Sequence, residues 1–422
     1  MKRLIILSLF LLSGVFFLVH YSQSQTKSYY SGDAVSFQGK VYVATTNSDS
    51  LELFLLAGND LQLLAKVRPT DKTFNRPINF YDVKFFPQAD RLFVYAISDF
   101  SLYKYELVGN QLNFVSSQKN TYWEWYNRVD KFGDYLVTVS DKGVKIWNEN
   151  MEVIGGAPIV DKAAPYNLRA YNNNYVLDVR DNQLLVYSLG TGQATLNIPV
   201  NYKTNPGNRQ AYQDADGNLY IVDDYYTKKF NLDGKLLGSF QHLDYAGYDV
   251  AASGQSDYIY FSNGVGVVKL DKATMKVAAY RFTGGLAGPR GWAMGLKVVA
   301  AAGDKIVVFN NANILVLDDK LNKIASFKAT ESEAETSTEN LFLKLDRTFG
   351  GANAAVTLTG GGYFPDEELA IDFGGSKTKA TADRRGRFTQ KLTVPALAAK
   401  AVDIRVIGES SQLSYSIAFN IQ

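Results

Sequence analysis

A unit of about forty residues, read as four short apolar segments divided by turn residues, recurs from about residue 34 to residue 328 and limits the possible folds more than any other feature. The clearest copy spans 128–158, with strands expected at 128–132, 135–140, 144–148 and 151–154. Its turns fall at Gly133-Asp134, Asp141-Lys142-Gly143 and Asn148-Glu149-Asn150. Copies start near Ala34, Asn79, Arg128, Arg169, Arg209, Tyr248 and Arg290, which makes seven. The second strand is the easiest to see in each: 41–45, 92–96, 135–139, 175–179, 219–222, 258–261 and 298–302, rich in Val, Tyr, Leu and Phe. Third strands follow a polar turn, at 51–56, 102–107, 143–147, 183–189, 227–231, 264–270 and 313–317. Almost no helix is expected after residue 24.

A quartet of strands cannot bury both of its faces alone. Stacking quartets around an axis buries them and leaves only short edges, so the repeat predicts an all-β, seven-bladed β-propeller over 30–329. Function in such a fold is expected on the loops around the central channel. Composition agrees: 46% hydrophobic residues with 27 Tyr and 25 Phe supply a large core, and 34 Gly serve the turns. Charge is nearly balanced, 44 basic against 42 acidic residues, so no global field calls for nucleic acid. The chain has no cysteine, which removes disulfides, thiolate metal sites, a Cys nucleophile and lipid attachment through a thiol.

The N-terminus points to export. Met1-Lys2-Arg3 is basic, 4–19 is apolar apart from Ser8, Ser13 and Gly14, and polarity jumps at His20. Ser22 and Ser24 suit cleavage after Ser24. The apolar run is short for a membrane span, yet its Phe-Phe-Leu-Val end leaves an uncleaved anchor open for 1–24. Either way Lys2 and Arg3 stay inside and the rest is extracytoplasmic, at a bacterial cell surface or secreted.

Composition changes again at 330–340. This stretch has no bulky apolar residue and carries Glu331, Glu333, Glu335 and Glu339, so a solvated linker is expected. Strands resume over 341–422, at 341–345, 354–358, 368–373, 377–382, 387–394, 402–407 and 414–421, a count that points to a β-sandwich. Here Gly360-Gly361-Gly362-Tyr363-Phe364-Pro365, the strand ending Phe373-Gly374-Gly375, and the hairpin Asp383-Arg384-Arg385-Gly386-Arg387-Phe388 resemble the immunoglobulin-like IPT/TIG-type modules of bacterial surface proteins. The resemblance implies a spacer, packing platform or adhesive unit. More weakly, Asp214-Ala215-Asp216-Gly217-Asn218 with the strand after it resembles an NHL-type blade, and Gly143-Val144-Lys145-Ile146-Trp147-Asn148 is similar to a WD-repeat strand.

Catalytic chemistry finds little to work with. Asp214, Asp216 and Asn218 have the look of a calcium loop, but glycine is fourth rather than sixth and the twelfth residue is Tyr225, so a hairpin turn is expected. Outside the export segment the sole histidine is His242, too few for a His-ligated metal; it is expected as a loop hydrogen-bonder. No carboxylate pair stands out for glycoside hydrolysis. No cofactor is implied.

One constellation is positive. Arg128, Arg169, Arg209 and Arg290 recur where one repeat meets the next, with Arg76 placed similarly. Ringed at a channel mouth, guanidinium groups suit carboxylate, sulfate or phosphate, although each can equally pair with an Asp or a carbonyl of the neighbouring blade. Trp123, Trp125 and Trp292 lie near the same loops and suit stacking on sugars or a partner's apolar anchor; Trp147 is expected in the core between blades. The expected function is therefore an exported, non-enzymatic binding or scaffold protein. Its partner would be an envelope protein or glycan, an anionic one if the arginines are used, and it would touch the membrane through an uncleaved N-terminus. A structural subunit of an extracellular assembly and a polysaccharide-acting propeller enzyme are the alternatives.

Overall fold

The computed structural model describes residues 29–422 apart from 48–49, 72–75, 99, 120–125, 133, 141, 159–167, 172–173, 180–182, 189–193, 200–209, 215, 223–225, 232, 243–246, 253–255, 264–265, 284–296, 311–312, 329–340, 364–365, 384–385, 399–400 and 410–412. The expected export segment, 1–24, and the expected linker, 330–340, lie outside the described residues. Within them all regular structure is strand.

Seven four-stranded antiparallel sheets follow one another along the described chain. Sheet 1 holds Tyr29–Phe37, Lys40–Asn47, Ser50–Ala57 and Asp60–Val67. Sheet 2 holds Phe80–Gln88, Arg91–Ser98, Ser101–Val108 and Gln111–Lys119. Sheet 3 holds Tyr126–Phe132, Tyr135–Ser140, Gly143–Trp147 and Val153–Pro158. Sheet 4 holds Leu168–Tyr171, Asn174–Val179, Gln183–Ser188 and Ala194–Pro199. Sheet 5 holds Gln210–Gln213, Leu219–Val222, Tyr226–Phe230 and Leu236–Gln241. Sheet 6 holds Gly247–Ala251, Tyr258–Asn263, Gly266–Asp271 and Val277–Phe282. Sheet 7 holds Lys297–Ala302, Lys305–Asn310, Asn313–Leu317 and Lys323–Lys328.

The first strand of each sheet touches the first strand of the next, and that of sheet 7 returns to that of sheet 1. The sheets therefore form a closed ring with first strands innermost. The ring closes without strand exchange, since sheets 1 and 7 are each built from consecutive strands.

Period-two alternation explains why the second strands are apolar throughout. In Val41–Thr46, Val43 faces sheet 7 with Phe309 and Ile314, whereas Tyr42 and Ala44 face sheet 2 with Val83 and Val94. In sheet 2, Val94 and Ala96 look back at sheet 1 while Phe93, Tyr95 and Ile97 look on to Val129 and Trp147 of sheet 3. Trp147 is buried there as expected, its Nε1 donating to Thr138 Oγ1 at 2.7 Å.

Two expectations are corrected. The segment 298–302 is not the second strand of its repeat but lies in the first; the second is Lys305–Asn310, so sheet 7 begins at Lys297 rather than near Arg290. Both strands are short apolar runs behind a lysine, and period alone does not rank them. Met151 does not open a fourth strand either. It sits in a left-handed turn (φ 61°), because the Asn148 side chain accepts from Asn150 N and Glu152 N and curls the chain before Val153.

The C-terminal body has two sheets. Phe342–Leu345, Ala355–Gly361 and Phe388–Thr393 form one, in that order. Phe349–Gly350, Ser414–Ile421, Ala401–Gly408, Glu368–Phe373 and Ser376–Thr381 form the other. Leu345, Val356, Leu358, Ile371, Phe373, Ile404 and Phe419 from the two sheets share one buried cluster. The Asp383–Arg387 hairpin needs its glycine: Gly386 has φ 73°, and a Cβ there would sit 2.1 Å from the Tyr363 carbonyl oxygen.

Candidate functional site

An innermost strand has one unpaired edge, and its N–H groups must find other partners. In sheets 2 and 3 carboxylates of the preceding sheet supply them. Phe85 N donates to Asp33 Oδ2 of the preceding sheet at 2.9 Å, and Val129 N donates to Asp82 Oδ2 at 3.1 Å. Ser31 donates its hydroxyl to Asp82. Lys84 stands between sheets, its Nζ 3.3 Å from Asp33 and 3.2 Å from Asp130.

The spacing that builds this cluster is regular. Sheets 1, 2, 3, 6 and 7 carry an irregularity near the start of their first strand, and Ser31, Asp82, Arg128, Asp249 and Val299 are the first paired residues after it. Two residues further along the same face come Asp33, Lys84, Asp130, Ala251 and Ala301. These positions thus carry charged residues on sheets 1, 2, 3 and 6, while sheet 7 places Val299 and Ala301 there.

Burial dominates Asp33. It pushes the carboxyl above the ordinary carboxylate range, against the pull of Lys84 and the Phe85 N–H, and the charge of Asp130 adds to the rise. Burial also lowers Lys131, which lies over the Phe86 ring at 4.8 Å. The arrangement fixes three neighbouring sheets to one another through paired charges and backbone N–H groups that donate to carboxylates.

Of the residues singled out from sequence, Arg128 joins this cluster, its Nη1 3.9 Å from Asp82 Oδ1. Arg169 lies in a first strand opposite Val176, and Arg76 pairs with Asp71 in a two-residue ribbon; their side chains are outside the described residues. Arg209, Arg290, Trp123, Trp125 and Trp292 also lie outside them. Asp33, Asp82, Lys84 and Asp130 were not anticipated. The signal was present as polar residues two apart, Ser31-x-Asp33, Asp82-x-Lys84 and Arg128-x-Asp130, in strands that are otherwise apolar.

Asp214 makes the expected hairpin turn. Its carboxylate accepts from Asp216 N at 3.1 Å, Asn218 N at 2.8 Å and Tyr220 Oη at 3.0 Å. His242 follows the last strand of sheet 5, hydrogen-bonds there as expected, and is buried. Its Nε2 lies 2.7 Å from Thr227 Oγ1, its ring stacks on Phe261 at 4.7 Å, and burial pulls its pKa down to about 3.

Solved structures share this ring. The C-terminal WD40 domain of Sif2 matches with a TM-score of 0.52 and 12% identity, over 75% of this chain and 90% of that one. The ring is a β-propeller. Raptor from Chaetomium thermophilum matches with a TM-score of 0.53 and 10% identity over 69% of this chain, which spans 27% of that protein. No protein-family model matches the sequence. No curated protein matches it either. The seven sheets are the blades of the propeller, and the charged cluster lines its inner wall at blades 1 to 3.

Proposed function

We propose that the chain is an exported, non-enzymatic scaffold whose propeller holds a protein partner of the cell envelope, or an envelope glycan, on its blade-joining loops. The C-terminal body would act as an immunoglobulin-like spacer or platform. One observation carries this reading: the ring is closed and interlocked from within, since its inner charges are engaged across blades 1 to 3. A rigid ring presents loops at fixed separations, and propellers are mostly binding platforms. Arg169, Arg209, Arg290, Trp123, Trp125 and Trp292 are the loop and strand-end candidates, and Arg128 would serve with them only in competition with Asp82. The basic start and apolar run of 1–19 support export, and the buried His242 argues against histidine-based catalysis at a loop. Co-sedimentation of the full chain with envelopes tests this. Binding that disappears when the envelopes are pretreated with protease supports a protein partner; binding that survives points to a glycan, and no binding removes the scaffold reading.

A second reading has its own observation. Outermost strands of blades 1 to 3 expose Leu63, Phe114, Val115, Val153 and Ile154, which suits an assembly subunit. Sedimentation velocity over a hundredfold range of concentration separates the two: a constant monomer removes the assembly reading.

A further inference from the structure

We infer that the outward face of the three-stranded sheet in the C-terminal body binds an anionic polysaccharide. The inference does not rest on the propeller as a scaffold. Alternation sends Leu343, Leu345, Val356, Leu358, Phe388 and Leu392 inward. The face left outside carries Lys344, Thr357, Thr359, Thr389, Lys391 and Thr393. Pairing sets Lys344 beside Thr359 and Thr359 beside Thr389; one step along, Thr357 lies beside Lys391. None of the three strands contains an acidic residue. Asp346, just past the first strand, turns its carboxylate to Thr357 N at 2.9 Å.

The other sheet of the same body shows what an ordinary solvated face looks like in this chain. There Lys379 sits 2.9 Å from both Glu368 and Glu409, and Asp372 pairs across strands with Lys377 and with Arg405. Charges on that face are matched; on the three-stranded face the strands themselves carry only positive ones, and the one acid at its edge, Asp346, is engaged by Thr357 N. Threonine adds hydroxyls held in few rotamers, which order at little entropic cost when they meet a polyol. Lys344 and Lys391 are offset by two strand spacings and two residues, a separation of about 12 Å. A chain with acidic groups at intervals can meet both at once, and the flat face between them accepts its sugar rings.

Affinity electrophoresis of the full chain through gels containing polygalacturonate or neutral dextran tests the inference. Retardation by polygalacturonate alone is expected, weakened about tenfold in the Lys344→Gln/Lys391→Gln variant, because two exposed ion pairs are lost. Lys344→Arg/Lys391→Arg should retain binding, and free galacturonate at matched acid concentration should compete poorly. Lys377→Gln/Arg405→Gln, on the opposite sheet, is the control and should bind as the parent does. Equal loss in that control would reduce the effect to net charge and overturn the inference. So would no retardation, retardation by dextran, or full binding by the Lys344/Lys391 variant. Thermal unfolding of each variant at the parent's midpoint keeps a folding defect from passing as lost binding.

Discussion

His242 is where a single proton weighs most on this fold. Folded, it stays neutral down to about pH 3, because burial against Phe261 opposes the charge; unfolded, it takes a proton near 6.5. Its contribution is therefore complete above about pH 6.5 and is lost as pH falls from there toward 3, at about 1.4 kcal/mol per pH unit. Between pH 6.5 and 5.0 the parent should lose about 2 kcal/mol that a His242→Leu variant does not, measured by urea unfolding at both values. Equal pH dependence in the two proteins would contradict the buried, neutral assignment. Asp33 gives a second residue-level test. Asp33→Asn keeps an oxygen for the Phe85 N–H and removes the buried charge, whereas Asp33→Leu orphans that N–H. The leucine variant should be less stable than the asparagine variant by about 1–3 kcal/mol, read from the same denaturation curves.

Strands, not single residues, explain how the ring closes. Gly32 lies on the first strand of blade 1, and a Cβ there would stand 2.3 Å from the Phe309 ring of blade 7. Gly32→Val should cost about 1–3 kcal/mol through overpacking, and Phe309→Ala in the same chain should recover part of it. A simple sum of the two single losses would show that the blades do not meet there. A second device ties blades at their outer turns. Lys104, Lys229 and Lys269, each on a third strand, donate to carbonyls of the next blade: Glu149 O at 2.7 Å, Lys272 O at 3.0 Å and Asp319 O at 2.7 Å. Lys269→Met keeps an apolar stem but loses both the donor and the ammonium that lies 3.9 Å from the Tyr258 ring centroid. It should lower stability by about 1 kcal/mol or slightly more. The elements themselves were largely legible. Second strands such as Leu219–Val222 and the strands Glu368–Phe373 and Ser414–Ile421 fall where hydrophobic runs and glycine turns put them. What the pattern did not reveal was which strand of blade 7 comes first, since Lys297–Ala302 and Lys305–Asn310 are both apolar runs behind a lysine. Nor did it show that the arginine beginning blade 3 has Asp82 beside it, because that pairing joins residues 46 apart only once the ring exists.

At the scale of the molecule, the repeat dictated seven stacked sheets, and the closed ring follows from the need to cover the outer faces of the first and last. Each blade supplies one face to either neighbour, and blade 1 meets blade 7 through Tyr29, Val43 and Phe54 against Phe309, Ile314 and Val316. The aromatic pair Phe54 and Phe327, with centroids 4.7 Å apart, lies in that seam. Closure is the claim on which the interlocked inner wall and the fixed loop geometry both depend. The absence of native cysteine makes it directly measurable. Spin labels on single introduced cysteines at Lys40 and Asp304 mark the hairpin turns of blades 1 and 7; Lys40 and Asp90 mark those of blades 1 and 2, where Gln38 already donates to the Asp90 carbonyl at 3.3 Å. Pulsed dipolar spectroscopy should return the same short separation for both pairs. A long or broadly distributed separation for Lys40 and Asp304, beside a short one for Lys40 and Asp90, would mean an open array of blades and contradict the ring.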